Sequence, residues 1–62
     1  MFITVTGING KKILVNVSCI ACVCERVGQT DIYLTTDRDD YIAAQETFSK
    51  IVTMIAEEYS VY

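Results

Sequence analysis

Polar and apolar positions alternate along the first third of the chain. Residues 2–6 (Phe-Ile-Thr-Val-Thr) interleave aromatic and β-branched side chains with threonines, the two-residue period of a half-buried strand. Gly7-Ile8-Asn9-Gly10 follows, and its Asn-Gly pair tolerates the positive φ of a tight hairpin turn. Residues 12–17 resume the alternation, with Ile13, Val15 and Val17 on one face and Leu14 and Asn16 on the other. The spacing predicts a β-hairpin.

Residues 18–27 break this rule, because both alternating sets are apolar: Cys19, Ala21 and Val23 on one side, Ile20, Cys22 and Cys24 on the other. A strand of that kind needs cover on both faces. A helix can cover one, and another subunit, a partner or a fold of the sheet back on itself must cover the second. Gly28-Gln29 reads as a turn into a strand over 30–36, with Ile32 and Leu34 pointing inward and Asp31, Tyr33 and Thr35 outward. Asp37-Arg38-Asp39-Asp40 reads as a polar turn, and residues 41–43 as a short last strand.

From Thr47 the period changes. Phe48, Ile51, Val52, Ile55 and Tyr59 recur at helical spacing and form one stripe, with Thr47 as N-cap, Lys50 where a capping box would place Glu or Gln, and an end near Tyr59 or Ser60. Strands followed by one helix predict an α+β fold: a small curled antiparallel sheet of three to five short strands closed by a C-terminal amphipathic helix. With no proline, repeat or linker-like stretch, residues 1–62 read as a single domain.

Composition changes this picture in one respect. A chain of 62 residues buries only about 60% of its unfolded surface, yet 52% of these residues are hydrophobic and the mean hydropathy is +0.33. The excess of apolar surface predicts a homo-oligomer or a protein partner. Eight acidic against five basic residues give a net charge of -3, which disfavours phosphate backbones and anionic lipid. No segment has the ~20 apolar residues of a membrane span, and Met1 to Thr6 lacks the basic and apolar regions of a signal peptide, so a cytoplasmic location is expected.

Candidate chemistry is sparse. Histidine is absent, which removes the commonest acid–base group and metal ligand, so neither an enzyme nor a cofactor is expected. Cys19, Cys22 and Cys24 are one thiolate short of a closed zinc site, and a strand turns Cys19 away from the other two; they read as small buried hydrophobes rather than as a metal site. Asp37, Asp39 and Asp40 lack the Gly and Glu of a calcium loop. Tyrosine and methionine are enriched at protein interfaces, which makes Tyr33, Tyr41, Met54 and Tyr62 the candidate partner contacts. Should the chain instead sequester a small anion or nucleotide, Lys11, Lys12, Arg26 and Arg38 are the candidate ligands; a nucleic-acid regulator would need the same residues on one face.

The order Ile3-x-Val5-Thr6, Asn9-Gly10-Lys11, Asn16, Ile20, Thr30-x-Ile32-x-Leu34, then Glu46-Thr47 with Ile51 and Ile55, resembles the small FlbD-like proteins of bacterial flagellar operons. The chain departs from them at Asp37-Arg38-Asp39-Asp40, where they carry a Gly-Lys turn, in its less acidic helix, and in its cysteine cluster. The resemblance implies a non-enzymatic accessory protein of a larger assembly and carries over no catalytic residue. Together these readings predict a protein-binding module that acts as a homo-oligomeric inhibitor or regulator of a larger partner, of the kind also found in phages and mobile elements.

Overall fold

In a computed structural model, residues 1–58 are described, the side chains of residues 37 and 38 excepted. Strand β1 (Phe2–Thr6) pairs antiparallel with β2 (Lys12–Asn16), and β3 (Ile20–Arg26), β4 (Gln29–Leu34) and β5 (Asp37–Ala44) form an antiparallel meander. A single 3-10 turn, Val17–Cys19, joins the two sheets, and helix α1 (Phe48–Glu58) closes the chain. This is the α+β plan expected from the pattern.

The two sheets meet where β1 runs out. Gly7 bridges Ala44, the Ile8 amide donates to the Ala43 carbonyl at 3.0 Å, and the Gln45 amide donates to the Thr6 carbonyl at 2.7 Å. Glu46 tightens the junction: its two carboxylate oxygens accept from the Thr6 amide at 2.9 and 3.0 Å, and its carbonyl accepts from the Thr30 hydroxyl at 2.7 Å. The sheet thereby curls around one core of Ile3, Val5, Val15, Val17, Ile32, Ala44 and Ile51, with Ile13, Ile20, Val23, Leu34, Ile42, Met54 and Ile55 packed against it.

The first hairpin follows its sequence closely, with one refinement. Gly10 lies at φ 87° and donates its amide to the Gly7 carbonyl, while Asn9 keeps a negative φ and accepts the Lys11 amide on its side chain. The loop therefore has three residues with glycine in the left-handed position, and not a two-residue turn with Asn and Gly both inverted. A Cβ on Gly7 would come within 2.8 Å of the Asn9 side-chain oxygen, which is why the strand end carries no side chain there.

The meander departs from simple alternation at two points. Ile20 pairs with Leu34 but Cys22 pairs with Tyr33, so β3 spends two steps where β4 spends one and Ala21 is the extra residue of a bulge. The phase shift turns Ile20 and Val23 both inward and leaves Ala21, Cys22 and Cys24 exposed. Of the two apolar faces expected to need cover, the fold itself buries the one with Ile20 and Val23 and leaves the cysteine face outward, without folding the sheet back over it. The second irregularity falls between Tyr33 and Leu34, which pair with Tyr41 and Asp37. The chain reverses at residues 35–36, so the acidic run expected as the turn belongs to β5 and bows out of its ladder at residues 38–40. Likewise the β3–β4 loop is Val27-Gly28, with Gly28 at φ 83°, and Gln29 already belongs to β4.

Helix α1 begins where the sequence places it. The Thr47 hydroxyl accepts the Lys50 amide at 3.2 Å, the expected N-cap, and Ile51 is fully buried. The buried stripe is rotated from the expected one: Met54 and Ile55 pack on the core while Phe48 and Val52 remain exposed, because the helix lies against β1 and β3 rather than flat on the meander. Met54, expected off the stripe as a contact residue, is a packing residue of this core. Tyr59 and Tyr62 lie outside the described residues, as does Val61.

Candidate functional site on the open face of the meander

Pairing register fixes what stands on the outer face of β3, β4 and β5. Cys22, Tyr33 and Tyr41 form one row across the three strands, Cys24, Asp31 and Ala43 the next, and Arg26 and Gln29 the row beside the β3–β4 turn. The inner face of the same strands carries Val23, Ile32 and Ile42 and meets the core. Among the described residues no helix covers the outer rows: Cys22, Cys24, Arg26 and Tyr41 are exposed and Tyr33 is half-buried.

The two tyrosines proposed from sequence as contact residues are neighbours here. Their ring centroids lie 5.3 Å apart with planes tilted by 38°, within the contact range of an aromatic pair. Tyr41 keeps 41% of its surface exposed, and it also borders an apolar cleft of about 440 Å3 with Ile8, Ile13, Ile42 and Ala43. Aromatic surface therefore runs on into aliphatic surface from Tyr33 to the tip of the first hairpin.

Asp31 overturns an expectation. Alternation places it on the outer face, as the sequence implies, yet it is completely buried. Arg26 folds over it and donates from Nε to Oδ2 at 2.8 Å, and Gln29 donates from Nε2 to Oδ1 at 2.7 Å, so the outer-face carboxylate is sealed beneath its own partners. The Asp31 hydrogen bond, then its charge, push the Arg26 guanidinium above its ordinary value, with smaller contributions from Tyr33 and Tyr41. Arg26, with 55% of its side chain still exposed, forms a fixed cationic ridge beside the aromatic pair. A signal for this cluster lies in the sequence, since Arg26 and Gln29 flank a two-residue loop and Asp31, two residues beyond Gln29, then stands diagonally opposite Arg26.

The cysteines are equally displaced from expectation. Cys19 is half-buried, but Cys22 and Cys24 are exposed side by side with sulfurs 3.9 Å apart. Partial desolvation on the sheet raises the Cys22 thiol, and the hydrogen bond and charge of Cys24 raise it further.

The basic residues considered for an anionic ligand are not brought together. Arg26 is committed to Asp31, and it borders a cleft of about 270 Å3 that also contains Glu25 and Glu46. Lys11 and Lys12 belong to the first hairpin, where Lys12 donates to the Thr6 hydroxyl at 3.1 Å and lies near Glu46. The Arg38 side chain is outside the described residues. Among the described residues no group of three or more Cys, Asp or Glu side chains is arranged to hold a metal, and no helix is long and apolar enough to cross a membrane. No protein-family model, curated protein or solved structure matches the chain.

Proposed function

We propose that this chain is a non-catalytic protein-binding module, a homo-oligomeric inhibitor or regulator of a larger protein, and that it grips its partner with the Tyr33–Tyr41 face of the meander. The observation that carries this reading is the aromatic pair itself: two tyrosines in contact across β4 and the edge strand β5 on an uncovered sheet face, continuous with the Ile8 cleft. Tyrosines with a buried ring and a wet hydroxyl are the side chains that dominate binding energy at interfaces. The Arg26–Asp31–Gln29 cluster stiffens the surface next to them, which lowers the ordering cost of docking. Phe2 at 52% and Leu14 at 66% exposure share the outer face of the β1–β2 hairpin and support self-association through a second surface. An accessory role of this kind is also what the FlbD-like resemblance implies.

The test is comparative capture from lysate of the source cell with the immobilised chain. The wild type and the charge-reversed Lys11→Glu/Lys12→Glu variant are expected to retain the same protein, and the Tyr33→Ala/Tyr41→Ala variant to lose it by at least about tenfold, as truncation of hot-spot aromatics does. A partner that survives loss of both tyrosines and is lost on charge reversal would refute this reading in favour of anion recognition.

A further inference from the structure

Docking through the tyrosines leaves two groups on the open face without a role, Cys22 and Cys24. They are two residues apart on β3, so the pleat puts both side chains on one face, and both are exposed with their sulfurs 3.9 Å apart. Two thiolates that share a metal at ~2.3 Å each stand ~3.8 Å apart at a tetrahedral angle and ~4.6 Å apart when collinear with it. The observed 3.9 Å lies near the bent end of that interval, and side-chain rotation that parts the sulfurs by a further ~0.7 Å reaches the collinear one without moving the strand.

The kind of ion follows from the donor set. Thiolate pairs select soft ions, and a structural zinc site needs four ligands, whereas among the described residues no third Cys, Asp or Glu joins this pair. Monovalent copper is soft and is satisfied by two thiolates. We propose that Cys22 and Cys24 form a two-coordinate site for Cu(I) on the outer face of β3. Binding breaks two S–H bonds, forms two S–Cu bonds and releases two protons to water, with copper remaining Cu(I) and the site gaining one net negative charge. Beyond Cys24 on the same face stands the Arg26–Asp31 ion pair, which adds no net charge to the site, while Tyr33, paired with Cys22, walls it toward β4. Nothing in this step requires a protein partner, so it stands apart from the docking reading.

The full chain, reduced and kept free of oxygen, is titrated with Cu(I) against a chromophoric Cu(I) chelator. The expected result is one Cu(I) per chain, with affinity lowered by at least about a hundredfold in Cys22→Ser and in Cys24→Ser and left within about threefold of wild type in Cys19→Ser, since each of the first two loses one of only two ligands. Because two protons leave on binding, affinity should also fall by up to ~100-fold for each pH unit below the thiol range. A wild type that takes no copper from the chelator, or equal losses in all three serine variants, would overturn the site. X-ray absorption at the copper edge of the wild type decides the matter without any variant: two sulfur neighbours support it, and a shell of three or more sulfurs, or of nitrogen and oxygen, contradicts it.

Discussion

The two faces of the β3–β5 meander obey different rules although they are made of the same three strands. The inner face is aliphatic and closed, with Ile20, Val23, Ile32, Leu34 and Ile42 meeting the helix and the first hairpin. The outer face is aromatic, thiol-bearing and charged, and it stays open except where Arg26 and Gln29 roof over Asp31. One residue separates the two outcomes, because without the Ala21 bulge Ile20 and Val23 would face opposite ways. Hydrophobicity alone therefore does not decide which side of such a strand is buried; register does.

If the inner face is the stabilising one, its most deeply buried side chain should dominate the free energy. Ile32 is fully buried at the centre of the core, and Ile32→Ala should cost about 3 kcal/mol, enough to unfold much of a domain this small. Urea denaturation followed by circular dichroism measures it; a loss under about 1 kcal/mol would mean that the core is centred elsewhere.

The outer face should contribute stability at one place only. Asp31→Ala removes the acceptor of two side chains from a sealed position and should cost about 2 kcal/mol, whereas Arg26→Ala opens Asp31 to water and should cost clearly less. Equal and negligible costs in the same urea experiment would reduce the cluster to surface decoration.

A third prediction concerns the junction that lets the two faces exist. Burial pushes the Glu46 carboxyl up, but the Thr6 amide, its own backbone amide, the Thr6 hydroxyl and the Lys12 charge outweigh burial, and the net shift is downward from 4.5. A carboxylate with a depressed folded-state value adds stability above its unfolded value and surrenders it as the pH falls through the folded one. Stability should therefore decline below pH 4.5, and Glu46→Gln should flatten that decline while costing about 1 kcal/mol at neutral pH. A Gln variant with the wild-type acid profile would assign the titration to other groups.

The smallest effect on folding is expected at Tyr41. Tyr41→Ala should change stability by less than about 1 kcal/mol, since the side chain lies on the edge strand and belongs to no buried core cluster, while weakening partner capture. A large destabilisation would make Tyr41 a packing residue and remove it from the interface.

Much of this architecture was legible in the chain. The alternation of residues 2–6 and 12–16 forms the hairpin, with Val17 passing instead into the 3-10 turn, and the shift to helical spacing with Thr47 as cap locates the start of α1. The meander was less legible for definite reasons. A bulge leaves no trace in a run where Ile20, Ala21, Cys22, Val23 and Cys24 are all apolar, so the outward turn of the cysteines could not be read from polarity. Asp31 looked like an ordinary solvated residue, because its burial depends on the reach of Arg26 across the strand pair. Tyr33 and Tyr41 were each identifiable as contact candidates, but their juxtaposition needed the β4–β5 register, which the irregularity at residues 38–40 concealed. Met54 was misplaced because the helix docks across β1 and β3, a tertiary choice that a helical stripe does not encode.

Cys22 flanks Tyr33 in the row that the partner is proposed to cover, which makes the thiols built-in reporters of docking. The decisive measurement is the alkylation rate of Cys22 and Cys24, read by mass spectrometry, in the free chain and in the complex with its captured partner. Protection of both thiols by about tenfold or more in the complex, with Cys19 little changed, is the predicted result for a partner seated on the open face. Alkylation at the same rate in the bound and free chain would contradict the account and place the working surface elsewhere on the molecule.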